Sequence, residues 1–146
     1  MTSLSFPDVN VWLAVATPEH VHHGPARRWW EAETGRIAFS RITQLGFLRL
    51  MTTAAATDGK PLTMAEAWRV HDRLFEDDRV VFLPEPGEVE TRFREYASGR
   101  TASPKLWADA WLLAFARAAE GTVITFDLAL GTLGARCLLP ETGEAP

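Results

Sequence analysis

"SPKLWADAWLLAFARAAEGTVITFD", residues 103–127, joins a long apolar segment with a carboxylate inside it to a β-rich run that ends on a second carboxylate. Between Leu106 and Ala119 the only ionisable side chains are Asp109 and Arg117, and Leu106, Leu112 and Leu113 stand one helical turn either side of Asp109. A helix that is apolar nearly all round is normally buried. A carboxylate taken out of water without a partner loses roughly several kcal/mol of solvation, so something must compensate Asp109. Ser103 and Pro104 read as the cap and first position of this helix, and "TVITF" reads as a strand entered directly from it. A helix that feeds a strand in this way runs antiparallel to it, which puts the start of the helix and the end of the strand on one rim. Asp109 and Asp127 are expected to share that rim.

Outward from this segment the chain keeps the same rhythm. "LSF" before Pro7 reads as a strand and "VNVWLAVA" as a short helix. "HHGPARRWWEAETG" is helical, with Pro25 in its first turn and Gly35 as its stop. "RIAFS" is a strand, and Ser40 caps a helix through "ITQLGFLRLMTTA". "LTMAEAWRVHDRLFEDD" is a helix starting at Leu62 or Thr63, "RVVFLP" a strand, and "EVETRFREYASG" a helix ended by Gly99. "DLALGTLG" is a short helix or turn, and "ARCLL" a last strand. Strands alternating with helices indicate an α/β layer fold on a mainly parallel sheet, and with no repeat or long linker we expect one domain over residues 1–146.

Composition narrows the classes. A chain of 146 residues can bury a core without staples, and the lone Cys137 suits a reducing compartment. The N-terminal stretch lacks the pattern of a secretion signal, and no apolar run approaches the ~20 residues of a membrane span; a soluble, cytoplasmic protein with no membrane partner is expected. The net charge of −4 argues against bulk coating of nucleic acid. Local contacts are another matter: thirteen of the fifteen cationic residues are arginine, and Arg27, Arg28, Arg36, Arg41 and Arg49 face only Glu31 and Glu33 in that stretch. On sequence alone, solvated helix faces are the readier account of them.

In parallel α/β sheets ligands sit outside the carboxyl ends of the strands. Asp8 follows the first strand and Asp127 follows "TVITF". Either aspartate alone reads as a helix cap. With Asp109 they form a constellation whose charges repel: two unit charges ~4 Å apart cost about 4 kcal/mol at an effective dielectric near 20. A divalent cation resolves the conflict, and hard oxygen ligands select Mg²⁺ or Mn²⁺. Such a site suits phosphodiester hydrolysis, in which the ion polarises the phosphate and activates water.

Four segments, "FPDVNVWLA" (6–14), "ITQLGFLRLMT" (42–52), "SPKLWADAWLLAFA" (103–116) and "VITFD" (123–127), together resemble the successive motifs of the PIN-domain family, in particular the VapC-type toxins of bacterial toxin–antitoxin pairs. The similarity runs from residue 6 to about residue 139, in order, and it is the set rather than any one motif that is specific. It implies a three-layer α/β/α fold, a Mg²⁺- or Mn²⁺-dependent endoribonuclease, homodimers, and inhibition by a cognate VapB-like antitoxin. Carried over by position, Asp8, Asp109 and Asp127 match the family's acids, Asn10 the polar residue after the first acid, and Thr125 the hydroxyl before the last. Where many relatives have glutamate in a "TELGFLR"-like segment, this chain has Gln44. Three carboxylates overbalance one Mg²⁺ by a single charge and fall short of two, so a second ion is expected to need the charge of the substrate phosphate. Gln44 can still offer a carbonyl oxygen or hold a water. The expected site is thus Asp8, Asp109 and Asp127 as metal ligands, Gln44 assisting, and Asn10, Thr125 and Arg49 toward RNA.

Two rivals stay open: a non-catalytic PIN-like binding module, favoured by Gln44, and a phosphatase with an aspartyl nucleophile at Asp8. "HVHH" (20–23) reads as a loop entering a helix rather than a metal cluster, because His22 and His23 are adjacent and cannot both serve one ion comfortably. His71 is expected to be solvated. The pairs Trp29/Trp30 and Trp107/Trp111 read as packing rather than base-stacking groups.

Overall fold

Each strand expected from the sequence forms: β1 (Leu4–Pro7), β2 (Arg36–Phe39), β3 (Val80–Phe82), β4 (Thr122–Thr125) and β5 (Arg136–Cys137). The helices between them are α1 (Val9–Ala16), α2 (His23–Ala32), α3 (Arg41–Met51), α4 (Met64–Leu74), α5 (Val89–Tyr96), α6 (Leu106–Ala118) and α7 (Leu128–Gly131). The computed structural model describes residues 3–139, so the extreme ends of the expected 1–146 domain lie outside the described residues. Among the described residues no helix is long and apolar enough to cross a membrane.

The sheet has the order β3-β2-β1-β4-β5, and every pairing is parallel. Side chains alternate across it, as the period of two in a strand requires. Ile37, Phe39 and Ile124 enter one core with Trp12, Trp29, Trp30 and Phe47 from α1, α2 and α3. Leu4, Phe6, Ala38 and Val123 enter the other, beneath Val89 of α5 and Leu112 to Ala116 of α6. Helices thus cover both faces, giving three layers, α/β/α. The continuous apolar run of α6 is explained by its place in the second core.

Strand order also places the site. From β1 the chain moves outward to β2 and β3, then crosses back to lay β4 on the other side of β1. The carboxyl ends of β1 and β4 therefore flank the point where the winding reverses, the crevice that parallel sheets use for ligands. The Asp8 N–H donates to the Ile124 carbonyl at 2.9 Å, which ties the two strand ends together.

Two close approaches fix the helices that carry the acids. A Cβ on Gly46 of α3 would sit 2.6 Å from Val9 Cγ2, so glycine lets α3 pack against the first turn of α1. Between α6 and β4, Glu120 takes a left-handed φ of 59°, and a Cβ on Gly121 would meet the Leu4 carbonyl at 2.8 Å. That tight return lays α6 back along its own strand.

Boundaries differ from expectation in two places. Ser103 and Pro104 do not begin α6: the Ser103 carbonyl accepts the Leu106 N–H at 3.0 Å in a preceding turn, and the helix starts at Leu106 without a side-chain cap. Helix α3 ends at Met51, and the following Thr and Ala residues form a separate 3₁₀ turn (Ala54–Ala56). Their short side chains bond back to carbonyls of the preceding turn, Thr53 Oγ1 to Arg49 O for one, which closes the helix. Thr63, one of the two expected starts of α4, caps it in a reciprocal box with Glu66.

Candidate active site

Asp8 is placed by the backbone that follows β1. Its residue is extended, with φ −70° and ψ 172°, and its Oδ1 accepts the Val11 N–H at 3.0 Å, capping α1. Its Oδ2 accepts the Thr125 hydroxyl at 2.6 Å. That hydroxyl in turn accepts the Asp127 N–H at 3.0 Å, and Asp127 Oδ1 caps α7 through the Ala129 N–H at 2.8 Å. Asp8 and Asp127 are thus helix caps and pocket-lining acids at once, the one role aiming the side chain for the other. Asp109 lies in the first turn of α6, where the helix dipole favours an anion, and it lines the same pocket.

That pocket, about 440 Å³, is bounded by Asp8, Asn10, Asp109 and Asp127 together with His20, His22, Phe126 and Leu130. A smaller depression of about 130 Å³, bordered by Ile42 and Trp111, shares Asp8, Asn10 and Asp109 with it. These three residues form a sill between two compartments of one groove. Burial raises the pKa of Asp8 above the ordinary carboxylate value, with hydrogen bonds from Thr125 and Val11 opposing it and the charges of Asp109 and Asp127 adding to it. Burial also raises Asp109, and Asp127 adds to that. Among the described residues no lysine or arginine borders the pocket.

The three acids supply hard oxygen donors, which fit Mg²⁺ or Mn²⁺, and no thiol borders the pocket among the described residues. Among the described residues no three His, Cys, Asp or Glu side chains close up tightly enough to hold an ion by themselves. The acids ring a space instead, an arrangement suited to a cation that keeps several of its waters.

Asn10 is exposed and borders the pocket. Thr125 corrects the expectation of a substrate-binding hydroxyl: it is fully buried, and its Oγ1 is spent linking Asp8 to Asp127. Gln44 is not brought to the acids. Its Oε1 accepts from Arg41 Nη1 at 2.6 Å and its Nε2 meets His71 Nε2 at 3.2 Å, so both ends of the amide are engaged away from the pocket. His71, expected in solvent, is 6% exposed. It lies against Phe39 and Phe75 and bonds Asp72 Oδ1 through Nδ1 at 3.0 Å. Gln44 and His71 face each other from α3 and α4, a pairing that helical periodicity on either segment alone does not reveal. Arg49 is exposed near the end of α3 and does not border the pocket.

The histidine loop does enter α2, and His23 turns inward to Ala14 O at 2.7 Å. His20 and His22, however, border the acid pocket. The loop is a pair of turns, closed by the His20 N–H on Thr17 O and the His23 N–H on His20 O, so no strand-like alternation in the sequence announced that both rings would face the pocket while Val21 is 83% exposed. Trp29 and Trp30 are core residues. Trp107 is exposed beside Phe93, and Trp111 packs on Phe115 while donating to Glu85.

Comparison with known proteins agrees with this architecture. The family model of the PIN domain matches residues 5–134. The chain is 38% identical over 133 residues to ribonuclease VapC41 of Mycobacterium tuberculosis, spanning 87% of this chain and 91% of that protein. It superposes on the crystal structure of Mycobacterium tuberculosis VapC20, a sarcin-ricin loop cleaving toxin, with a TM-score of 0.66 and 18% identity, over 93% of this chain and 99% of the other. VapBC2 of Rickettsia felis, crystallised with a DNA fragment from its promoter, gives 0.61 at 11% identity, over 92% and 96%. At such identities the structural likeness concerns the fold.

Proposed function

This chain belongs to the PIN-domain family as a VapC-type protein, and we propose that it is a divalent-metal-dependent endoribonuclease toxin whose site is Asp8, Asp109 and Asp127. One observation carries the reading: three carboxylates from separate segments border one pocket that, among the described residues, no lysine or arginine shares. Left so, they repel the phosphates of RNA. Mg²⁺ or Mn²⁺, when bound, supplies the positive charge that draws a phosphodiester in and makes water a competent nucleophile.

The chain's own residues do the positioning. Thr125 fixes the separation of Asp8 from Asp127 through its two hydrogen bonds. The caps on Val11 and Ala129 restrict rotation of those carboxylates. Asp109, without a hydrogen bond among the described residues, is the acid freest to adjust. Asn10 offers an amide N–H to a phosphate oxygen at the lip, and the exposed Arg49 holds the more distant RNA backbone. Gln44 stands apart from these acids, with its amide oxygen accepting from Arg41, whose guanidinium carbon lies 4.7 Å from the Phe82 ring centroid.

A VapB-like antitoxin and a second copy of the chain are the proposed partners. Ile42 and Leu45 on α3 and Met64 and Trp68 on α4 are exposed apolar side chains open to such contacts. The lone Cys137 is consistent with the cytoplasm as the proposed location. Incubation of the purified protein with total RNA tests the activity. We expect cleavage with Mg²⁺ or Mn²⁺, loss with a chelator, and loss in Asp8→Asn and Asp109→Asn proteins that still fold; cleavage unchanged by either substitution overturns the reading.

A further inference from the structure

The groove has a wall that the acid chemistry does not use. His22 lies on Phe126 with ring centroids 4.7 Å apart at 42°, His20 lies 6.3 Å from the same ring at 22°, and the two imidazoles are 5.8 Å apart. All three rings border the pocket of Asp8, Asp109 and Asp127. The loop fixes one of them: the His22 N–H donates to His20 Nδ1 at 3.0 Å, so His20 carries its proton on Nε2 and is neutral.

What the histidines leave unbonded is informative. His23 uses its Nδ1 on Ala14 O, and His71 uses both nitrogens, on Gln44 and Asp72. Among the described residues neither ring nitrogen of His22 has a partner, nor does Nε2 of His20. His71 is buried and satisfied within the fold, whereas His20 and His22 are partly exposed and their nitrogens stay open to solvent or to a ligand. Here flat π surface and free polar edges are gathered at the mouth of a groove. The neighbouring carboxylates disfavour an anion on this wall, and the neutral His20 offers a phosphate little. An uncharged planar ring with hydrogen-bonding edges matches it. The sill of Asp8, Asn10 and Asp109 separates this compartment from the one by Ile42 and Trp111, so a strand whose phosphate lies on the sill sends its next nucleotide to the wall.

We propose that His20, His22 and Phe126 form a stacking platform for the nucleobase next to the scissile phosphate, making His22 a residue that positions the substrate. This rests on the ribonuclease reading of the pocket. The test maps cleavage of a randomised oligoribonucleotide pool with Mg²⁺, then uses one cleaved sequence made with an abasic nucleotide on either side of the cut. We expect the abasic change on one side to slow the wild type by about tenfold, the size of one base–aromatic stack. His22→Ala should slow the intact oligonucleotide by a similar factor and lose nothing further with the abasic one, while His22→Phe restores most of the rate and the abasic sensitivity. Insensitivity of the wild type to both abasic positions overturns the platform, as do losses that multiply in His22→Ala, or a His22→Phe protein as slow as His22→Ala. In each of those cases RNA is still cut and the reading of the acids stands; a wild type that leaves the whole pool intact removes both.

Discussion

Arg79 and Asp109 are both partly buried charges, and their surroundings are opposites. Arg79 spends four of its five guanidinium N–H groups: Nε and Nη2 donate to Asp77 at 3.0 and 2.7 Å, Nη1 donates to the carbonyls of Trp30 and Glu33 at 2.6 Å each, and the group lies over the Trp30 ring. The Arg79 hydrogen bonds hold the Asp77 carboxyl below its ordinary pKa. Asp109 has, among the described residues, no hydrogen bond and no lysine or arginine in its pocket, and its pKa is pushed up by burial and by Asp127. A charge kept for the fold is saturated by the fold. A charge kept for chemistry is left wanting, and the chain tolerates it because the missing partner arrives from solution.

The comparison breaks most readily at the acids. Replacing Asp8, Asp109 or Asp127 by Asn should lower RNA cleavage on the order of a hundredfold or more, the scale of losing one group that organises transition-state charge, with circular dichroism unchanged; a loss below tenfold in all three would show that the pocket is not the site. Arg79→Ala should do the reverse. Losing charged hydrogen bonds costs about 2–3 kcal/mol, or roughly 5–10 °C in melting temperature for a chain of this size, while cleavage below the transition keeps the wild-type rate.

Proton linkage sharpens the contrast. The folded state holds the Asp109 proton more tightly than the unfolded chain does, so its ionisation removes stability as pH rises through the raised folded pKa. Asp109→Asn should therefore melt above the wild type at pH 7 by a few degrees. The gap should close as pH falls below the carboxylate range, and Mg²⁺ should narrow it by stabilising only the wild type. Asp77 carries the opposite sign: its depressed pKa gives stability at neutral pH that is lost as pH falls through the folded value, so Asp77→Asn should melt below the wild type at pH 7 and approach it in acid. The smallest effect is expected at Gln44→Glu. The new carboxylate would pair with Arg41, away from the pocket, and cleavage should change by no more than about threefold, as for a substitution worth ~0.5 kcal/mol.

The fold was legible where local signals and topology agree. Ser40, Thr63 and Asp8 each announce a helix start that the structure keeps, and the helix–strand order implies the parallel sheet. The three acids were legible because each sits where the connection rules place a strand's carboxyl end or its antiparallel helix. Gln44 and His71 were not, because their mutual hydrogen bond depends on how α3 turns toward α4. Thr125 was found by position, but its role was hidden: exposure, unlike spacing, follows from the tight pairing of β1 with β4. His20 and His22 were visible as residues. Their approach to Phe126 depends on the path of an irregular loop, which carries no periodicity to read.

The most direct test is a calorimetric titration of Mn²⁺ into the protein without RNA. Saturable binding by the wild type and by Arg79→Ala, lost in Asp8→Asn and Asp109→Asn, is the predicted result. No heat from the wild type at millimolar Mn²⁺, or an undiminished isotherm in Asp109→Asn, would contradict the claim that these acids await a divalent ion.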